Sequence, residues 1–204
     1  MLMYYSYNLN PRLCVAVSRH LGISMEYRHL RKIPAEERAE VAAANPMGRV
    51  PVLLEQGRPP LWETDAITCR LSMLAGSDFW RQGEAQIEMI RWISWATMHL
   101  NRAADPLYFN YVAMPTFTDK RLPPAELERS LAEWRRYMPI LDSALAERDW
   151  LVDSALSYAD FRAACVLPFA DQARLPLGDF PNVARWHDRL MELPAWNDPF
   201  DGLD

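Results

Sequence analysis

The chain has 204 residues, half of them hydrophobic and 24% charged, enough for one large domain or two small ones with sizeable cores. Its net charge of −5 is spread along the sequence with no basic run to grip phosphates, which argues against nucleic acid as a partner. No apolar stretch approaches the ~20 residues of a membrane-spanning helix.

The opening MLMYYSYNLN has neither the cationic segment nor the small-residue cleavage site of a secretion signal, so Met1 to Ser6 reads as a buried strand. Asn8-Leu9-Asn10-Pro11 interrupts it. Leu13, Val15, Ala16, Val17 and Leu21 then suggest a helix ended by Gly22, and Met25 to Leu30 alternates as a second strand. Pro34-Ala35-Glu36-Glu37 opens a helix with acidic residues near its positive end. Asn45-Pro46-Met47-Gly48 is turn chemistry, followed by the strand-like Val52-Leu53-Leu54, a break at Gln56-Gly57-Arg58, and Leu61-Trp62. Ala66, Ile67, Leu71 and Leu74 then mark a helix starting near Thr64. The order β-α-β-α-β-β-α implies one parallel pair from the crossover and a hairpin added to it.

The run from Asn45 to Arg70, NPMGRVPVLLEQGRPPLWETDAITCR, resembles the glutathione-binding segment of glutathione S-transferases. Its N-P-x-G-x-V-P-x-L stem and its Glu63-Thr64-Asp65-Ala66-Ile67 both stand at that family's spacing. The resemblance implies a cis peptide at Val50-Pro51 and an α/β thioredoxin-like N-terminal domain followed by an all-α helical C-terminal domain. On this sequence the division falls at 1–76, with a linker over 77–84 and a helical domain over 85–204.

After Gly76 only helices are expected. Ile87, Ile90, Ile93, Thr97 and Leu100 form one stripe over Ala85 to Arg102, with Trp92 and Trp95 flanking it. Leu127, Leu131, Trp134, Met138, Leu141 and Leu145 form another over Glu126 to Ala146, where Pro139 should bend the helix. Between them, the aromatic-rich 106–117 shows no stripe. Ser157 to Asp160 is a capping box with a folding role, and Val183, Trp186, Leu190 and Leu193 give a last helix ended by Pro194.

The chemistry implied by the resemblance is activation of the glutathione thiol, a co-substrate whose thiolate is the nucleophile. The activating group belongs in the loop after the first strand. Asn10-Pro11-Arg12 resembles the Asn variant of that loop, and an ungapped comparison with the family's bacterial cysteine-type enzymes sets Asn10 where their cysteine stands. An Asn amide donates to a thiolate but cannot take its proton. Asn10 followed by Pro is equally a helix cap. Ser6 and Tyr5 are the alternative donors, with Tyr7 beside them. Backbone groups of Val50, next to Pro51, would pair with the cysteinyl part of glutathione. Glu63 would take its ammonium and Thr64 its carboxylate, with Arg49 a further carboxylate partner. Tyr7, Tyr108, Phe109, Tyr111 and Met114 would line a pocket for an apolar electrophile or cover a dimer surface.

The resemblance therefore implies a glutathione transferase, or a glutathione-dependent disulfide reductase or peroxidase, acting as a homodimer in detoxification. The alternative is a non-catalytic module that keeps the scaffold. The histidines His20, His29, His99 and His187 have no metal-ligand spacing, so no metal is expected, and no glycine-rich nucleotide loop is present. Cys14, Cys69 and Cys165, sparse and outside any CxxC pair, fit a cytoplasmic protein.

Overall fold

The computed structural model describes residues 1–203. Strand β1 (Leu2–Tyr5) lies inside a four-stranded sheet of order β2-β1-β3-β4. Strand β2 (Glu26–His29) runs parallel to it across the crossover helix α1 (Leu9–His20), while β3 (Val52–Leu54) and β4 (Leu61–Trp62) add an antiparallel hairpin. Alternation along β1 sends Met3 and Tyr5 to one face, where both are fully buried. Tyr4 goes to the other face and joins Ile33, Val41 and Val52 in a small core that includes helix α2 (Ala35–Ala44). Helix α3 (Thr64–Leu74) packs against α1.

Helix α1 starts earlier than Asn10-Pro11 suggests. Asn8 has extended backbone (φ −74°, ψ 164°), and its carbonyl accepts the Arg12 N–H at 3.0 Å. Asn8 is therefore the boundary residue, and Asn10 sits in the first turn rather than capping it. The anchor is Leu9, which is buried. Pro11 is tolerated because first-turn N–H groups have no partner within a helix.

The chain divides into two compact units. Met1–Trp80 groups with the segment from Leu193 onward, and Arg81–Glu192 forms the other unit. This corrects the division at 85–204. The reason lies in Arg12, a buried cation on α1 that donates to the Trp196 carbonyl and lies 4.6 Å from the centre of the Trp196 ring.

The second unit opens with α4 (Gly83–Trp95), which passes directly into a π-helical stretch (Ala96–Asn101), α5 (Arg102–Tyr108), a second π stretch (Phe109–Ala113) and a 3₁₀ turn (Met114–Thr116). The stripeless 106–117 is thus helical almost to its end. Each π turn holds an extra residue and rotates the downstream faces, so no single 3.6-residue stripe runs through it. The stripe on α4 is also displaced. Met89, Trp92 and Ile93 are buried, while Ile87 and Ile90 are 65% and 47% exposed. Helices α6 (Pro124–Ala144) and α8 (Pro181–Met191) bury Trp134, Met138 and Leu141, and Val183, Trp186 and Leu190, as their periodicity requires. Between them α7 (Tyr158–Ala163) follows the Ser157–Asp160 capping box, and α9 (Pro194–Asn197) returns to the first unit.

Candidate functional site

Strand register defines the site. Tyr4 pairs with Val52, and Val52 with Trp62. The end of β1, the start of β3 and the end of β4 therefore form one row, and Ser6, Val50–Pro51 and Glu63–Thr64 are the residues that adjoin these strand ends in the chain. One end of the sheet thus carries most of the residues that the sequence implicates.

Asn45 shapes the approach to this row. Its side chain is buried, donates from Nδ2 to the Arg49 carbonyl at 2.7 Å, and accepts the Met47 N–H on Oδ1 at 2.9 Å. Gly48, at φ +61°, completes the turn with an N–H donated to the Asn45 carbonyl at 2.7 Å. The Val50–Pro51 peptide is cis, Pro51 is buried, and Arg49 points into solvent. From the sequence alone Asn45 reads as ordinary turn chemistry. Its clamp on the Arg49 carbonyl was signalled only by its place at the head of the motif.

Glu63 stands just before α3 with φ +70° and ψ 125°, a backbone region that L-residues seldom adopt. It is exposed, whereas Thr64, the first residue of α3, is buried. The Cys14 thiol on α1 lies 3.8 Å from the Thr64 carbonyl and donates toward it. That contact brings the start of α3 beside the first turns of α1. No acidic residue occupies the first turn of α1, so its positive end is not offset by a carboxylate of its own.

The candidate thiol partners separate by burial. Tyr5 is fully buried, with its ring stacked on Phe200 at 5.6 Å and edge-on to His29 at 5.2 Å and Tyr27 at 6.2 Å. It is a packing residue, and alternation explains why: it shares the inward face of β1 with Met3. Asn10 is exposed. Ser6 is half-buried, and its hydroxyl is enclosed with no hydrogen-bond partner among the described residues. Such orphaned groups are rare in folded proteins. Tyr7, 48% exposed, lies between His29 at 4.5 Å and Phe200 at 5.0 Å. His29 accepts the Arg31 N–H on Nδ1 at 3.2 Å, and burial, with Lys32 and Arg31 nearby, holds its pKa below the usual value. With Nδ1 accepting, the ring's N–H is left on Nε2.

In the helical unit, Tyr108 and Met114 are each 7% exposed and belong to the core, with Tyr108 edge-on to Phe169 at 5.2 Å. The π turns send them inward and leave Phe109 and Tyr111 toward the surface. Phe109 is 44% exposed and 6.1 Å from Phe117, which the sequence reading left aside, and the Arg174 guanidinium covers the Tyr111 ring at 4.2 Å. Among the described residues, no cluster of three His, Cys, Asp or Glu could hold a metal ion. No helix among them is long and apolar enough to cross a membrane.

Two helix N-termini, an orphaned hydroxyl and the clamped backbone at Val50 make a site suited to an anionic, peptide-like ligand. Residues 93–194, half of the chain, match the family model described as glutathione S-transferase, C-terminal domain. The glutathione S-transferase GstB of Escherichia coli (strain K12) is 28% identical over 160 residues, covering 77% of this chain and 76% of that one. The disulfide-bond oxidoreductase YfcG of Escherichia coli (strain K12) is 24% identical over 165 residues, covering 78% and 74%. A solved structure of glutathione S-transferase-I bound with lactoylglutathione has the same fold, with a TM-score of 0.85 at 21% identity over 97% of each chain. The chain belongs to the glutathione S-transferase family.

Proposed function

We propose that the chain is a glutathione transferase that binds glutathione along the Ser6–Val50–Thr64 row. What supports this reading is that Tyr4, Val52 and Trp62 pair across the sheet at the strand ends from which Ser6, Val50 and Thr64 follow, with α1 and α3 starting just beyond. Val50 pairs through its backbone with the cysteinyl part, Glu63 takes the ammonium, and Thr64 with the α3 N-terminus takes the γ-glutamyl carboxylate. Arg49 meets a second carboxylate from solvent. The sulfur then lies toward the Ser6–Asn10 turn, where the Ser6 hydroxyl and the Asn10 amide donate to the thiolate. Neither is a base. Both lower the thiol pKa by stabilising the charged form. The thiolate forms a C–S bond to an apolar electrophile as the electrophile's leaving group departs, or it cleaves a disulfide or peroxide bond and a second glutathione then releases the product as oxidised glutathione. A homodimer is supported by the exposed apolar residues Ile87, Ile90 and Met98. A cytoplasmic location is supported by Cys14, Cys69 and Cys165, none of which forms a disulfide, and a detoxifying role would follow from conjugating apolar electrophiles.

Thermal unfolding with glutathione is the direct test. At ~100 times its Kd the ligand should stabilise the fold by about 2.7 kcal/mol, and Glu63→Ala with Thr64→Ala should abolish the shift. Turnover of a chloronitroarene and of a mixed disulfide then separates the chemistries. No shift at millimolar glutathione rejects the site, and binding without turnover leaves a non-catalytic binding module.

A further inference from the structure

We propose that Phe200 is a positioning residue that holds the Ser6–Tyr7 turn in the geometry needed to stabilise the glutathione thiolate. The inference rests on the reading that this turn meets the thiol.

The Ser6–Asn8 turn belongs to no helix or strand, so its conformation is set by what packs around it. Tyr7 is gripped on two sides. The His29 ring is tilted against it at 4.5 Å, and Phe200 meets it edge-on at 5.0 Å. Phe200 also stacks on Tyr5 at 5.6 Å with 20° between the rings, so one side chain contacts residues on both sides of Ser6. The segment carrying Phe200 is fixed to α1 at two further points. Arg12, in the first turn after Asn8, donates to the Trp196 carbonyl, and Arg19, near the end of α1, donates to the Asp201 carbonyl. The stretch from Tyr5 to Arg12 is therefore braced along its length by residues 196 to 201. The bracing contacts fall on Tyr5, Tyr7, Arg12 and Arg19, none of which is assigned above to the cysteinyl backbone, ammonium or carboxylate of the tripeptide. Ser6, whose enclosed hydroxyl has no hydrogen-bond partner among the described residues, is the group whose aim depends on it. A hydrogen bond to sulfur weakens steeply with misdirection, so loss of the brace should alter thiolate stability more than ligand affinity.

The test uses the full-length protein and glutathione itself. Phe200→Ala, Phe200→Tyr and Arg19→Met would be compared with wild type. Arg19→Met releases the segment at the surface and so covers the case in which Phe200→Ala fails to fold. Calorimetry would give the glutathione Kd, and the ultraviolet absorbance of the bound thiolate would be titrated against pH. Phe200→Ala and Arg19→Met should keep Kd within about twofold while the thiolate midpoint rises by about one pH unit, with Phe200→Tyr restoring it. A midpoint equal to wild type in both loosened variants overturns the positioning role while leaving the glutathione site intact. A wild-type chain that binds no glutathione overturns both.

Discussion

The indole N–H of Trp186 donates to Oδ1 of Asp160 at 3.1 Å, tying α8 to the start of α7 inside the helical unit. The Leu151 N–H reaches the same oxygen at 2.9 Å, and the Ser157 N–H and hydroxyl reach Oδ2 at 2.9 and 3.1 Å. A cap alone is worth about 1 kcal/mol. Here truncation strands three buried N–H donors from separate parts of the unit. Asp160→Ala should therefore cost about 3–5 kcal/mol in urea unfolding. A loss near 1 kcal/mol would show that the carboxylate acts only as a cap.

Burial pushes the Asp160 carboxyl up to about 6, against four hydrogen bonds that favour its ionised form. A carboxyl raised in the fold adds stability that is complete below its unfolded value of about 3.9 and is lost as pH rises through the folded value. Asp160→Asn cannot titrate. The stability gap between wild type and this variant should narrow by about 1–3 kcal/mol between about pH 4 and about pH 7. Chemical denaturation at a series of pH values checks it, and a constant gap would mean that the carboxyl does not titrate in this window.

Glu63 offers a separation of stability from binding. Its φ of +70° is one that glycine adopts freely. Glu63→Gly should raise stability by about 1 kcal/mol while weakening glutathione by losing the ammonium partner. Unfolding midpoints and calorimetry report the two effects, and a loss of stability would contradict the strain at this position.

Asn10→Asp sets two electrostatic effects in opposition. A carboxylate in the first turn of α1, which now has none, should stabilise the helix by about 0.3–1 kcal/mol. Near a bound thiolate it should raise the thiol pKa, so turnover at neutral pH falls and recovers at higher pH. An unchanged pH–rate profile would place Asn10 away from the sulfur.

Asn45→Ala removes the two hydrogen bonds that shape the turn ahead of Val50. The expected loss is about 1–3 kcal/mol of stability, together with weaker glutathione binding. Affinity that survives at the wild-type value would show that the Val50 backbone needs no such clamp.

Much of this molecule was readable from local signals. The β-α-β-α-β-β-α order, the turn at Gly48, the start of α3 at Thr64 and the Ser157–Asp160 cap each rest on residues within a few positions of one another. What could not be read locally shares a different origin. Tyr5, Tyr108 and Met114 are chemically plausible ligand contacts, and only packing reveals that they face inward. Ile87 and Met89 are both apolar, so α4 presents more than one stripe, and its neighbours decide which is buried. The π turns at 96–101 and 109–113 shift the helical phase without a sequence mark. Phe200 and Trp196 contact Tyr5 and Arg12 across nearly the whole chain, beyond any local pattern.

The link from Arg12 to Trp196 spans 184 residues. During synthesis the residues that cover the buried cation of α1 emerge 184 positions after it. The N-terminal sheet and hairpin can form from nearby segments, whereas bringing in α9 requires closing a loop that contains the entire helical unit. Such closure becomes less demanding once the intervening chain is compact, because the free length to be ordered shrinks. The helical unit should therefore fold before α9 docks, and the unit containing β1 to α3 is complete only once it has.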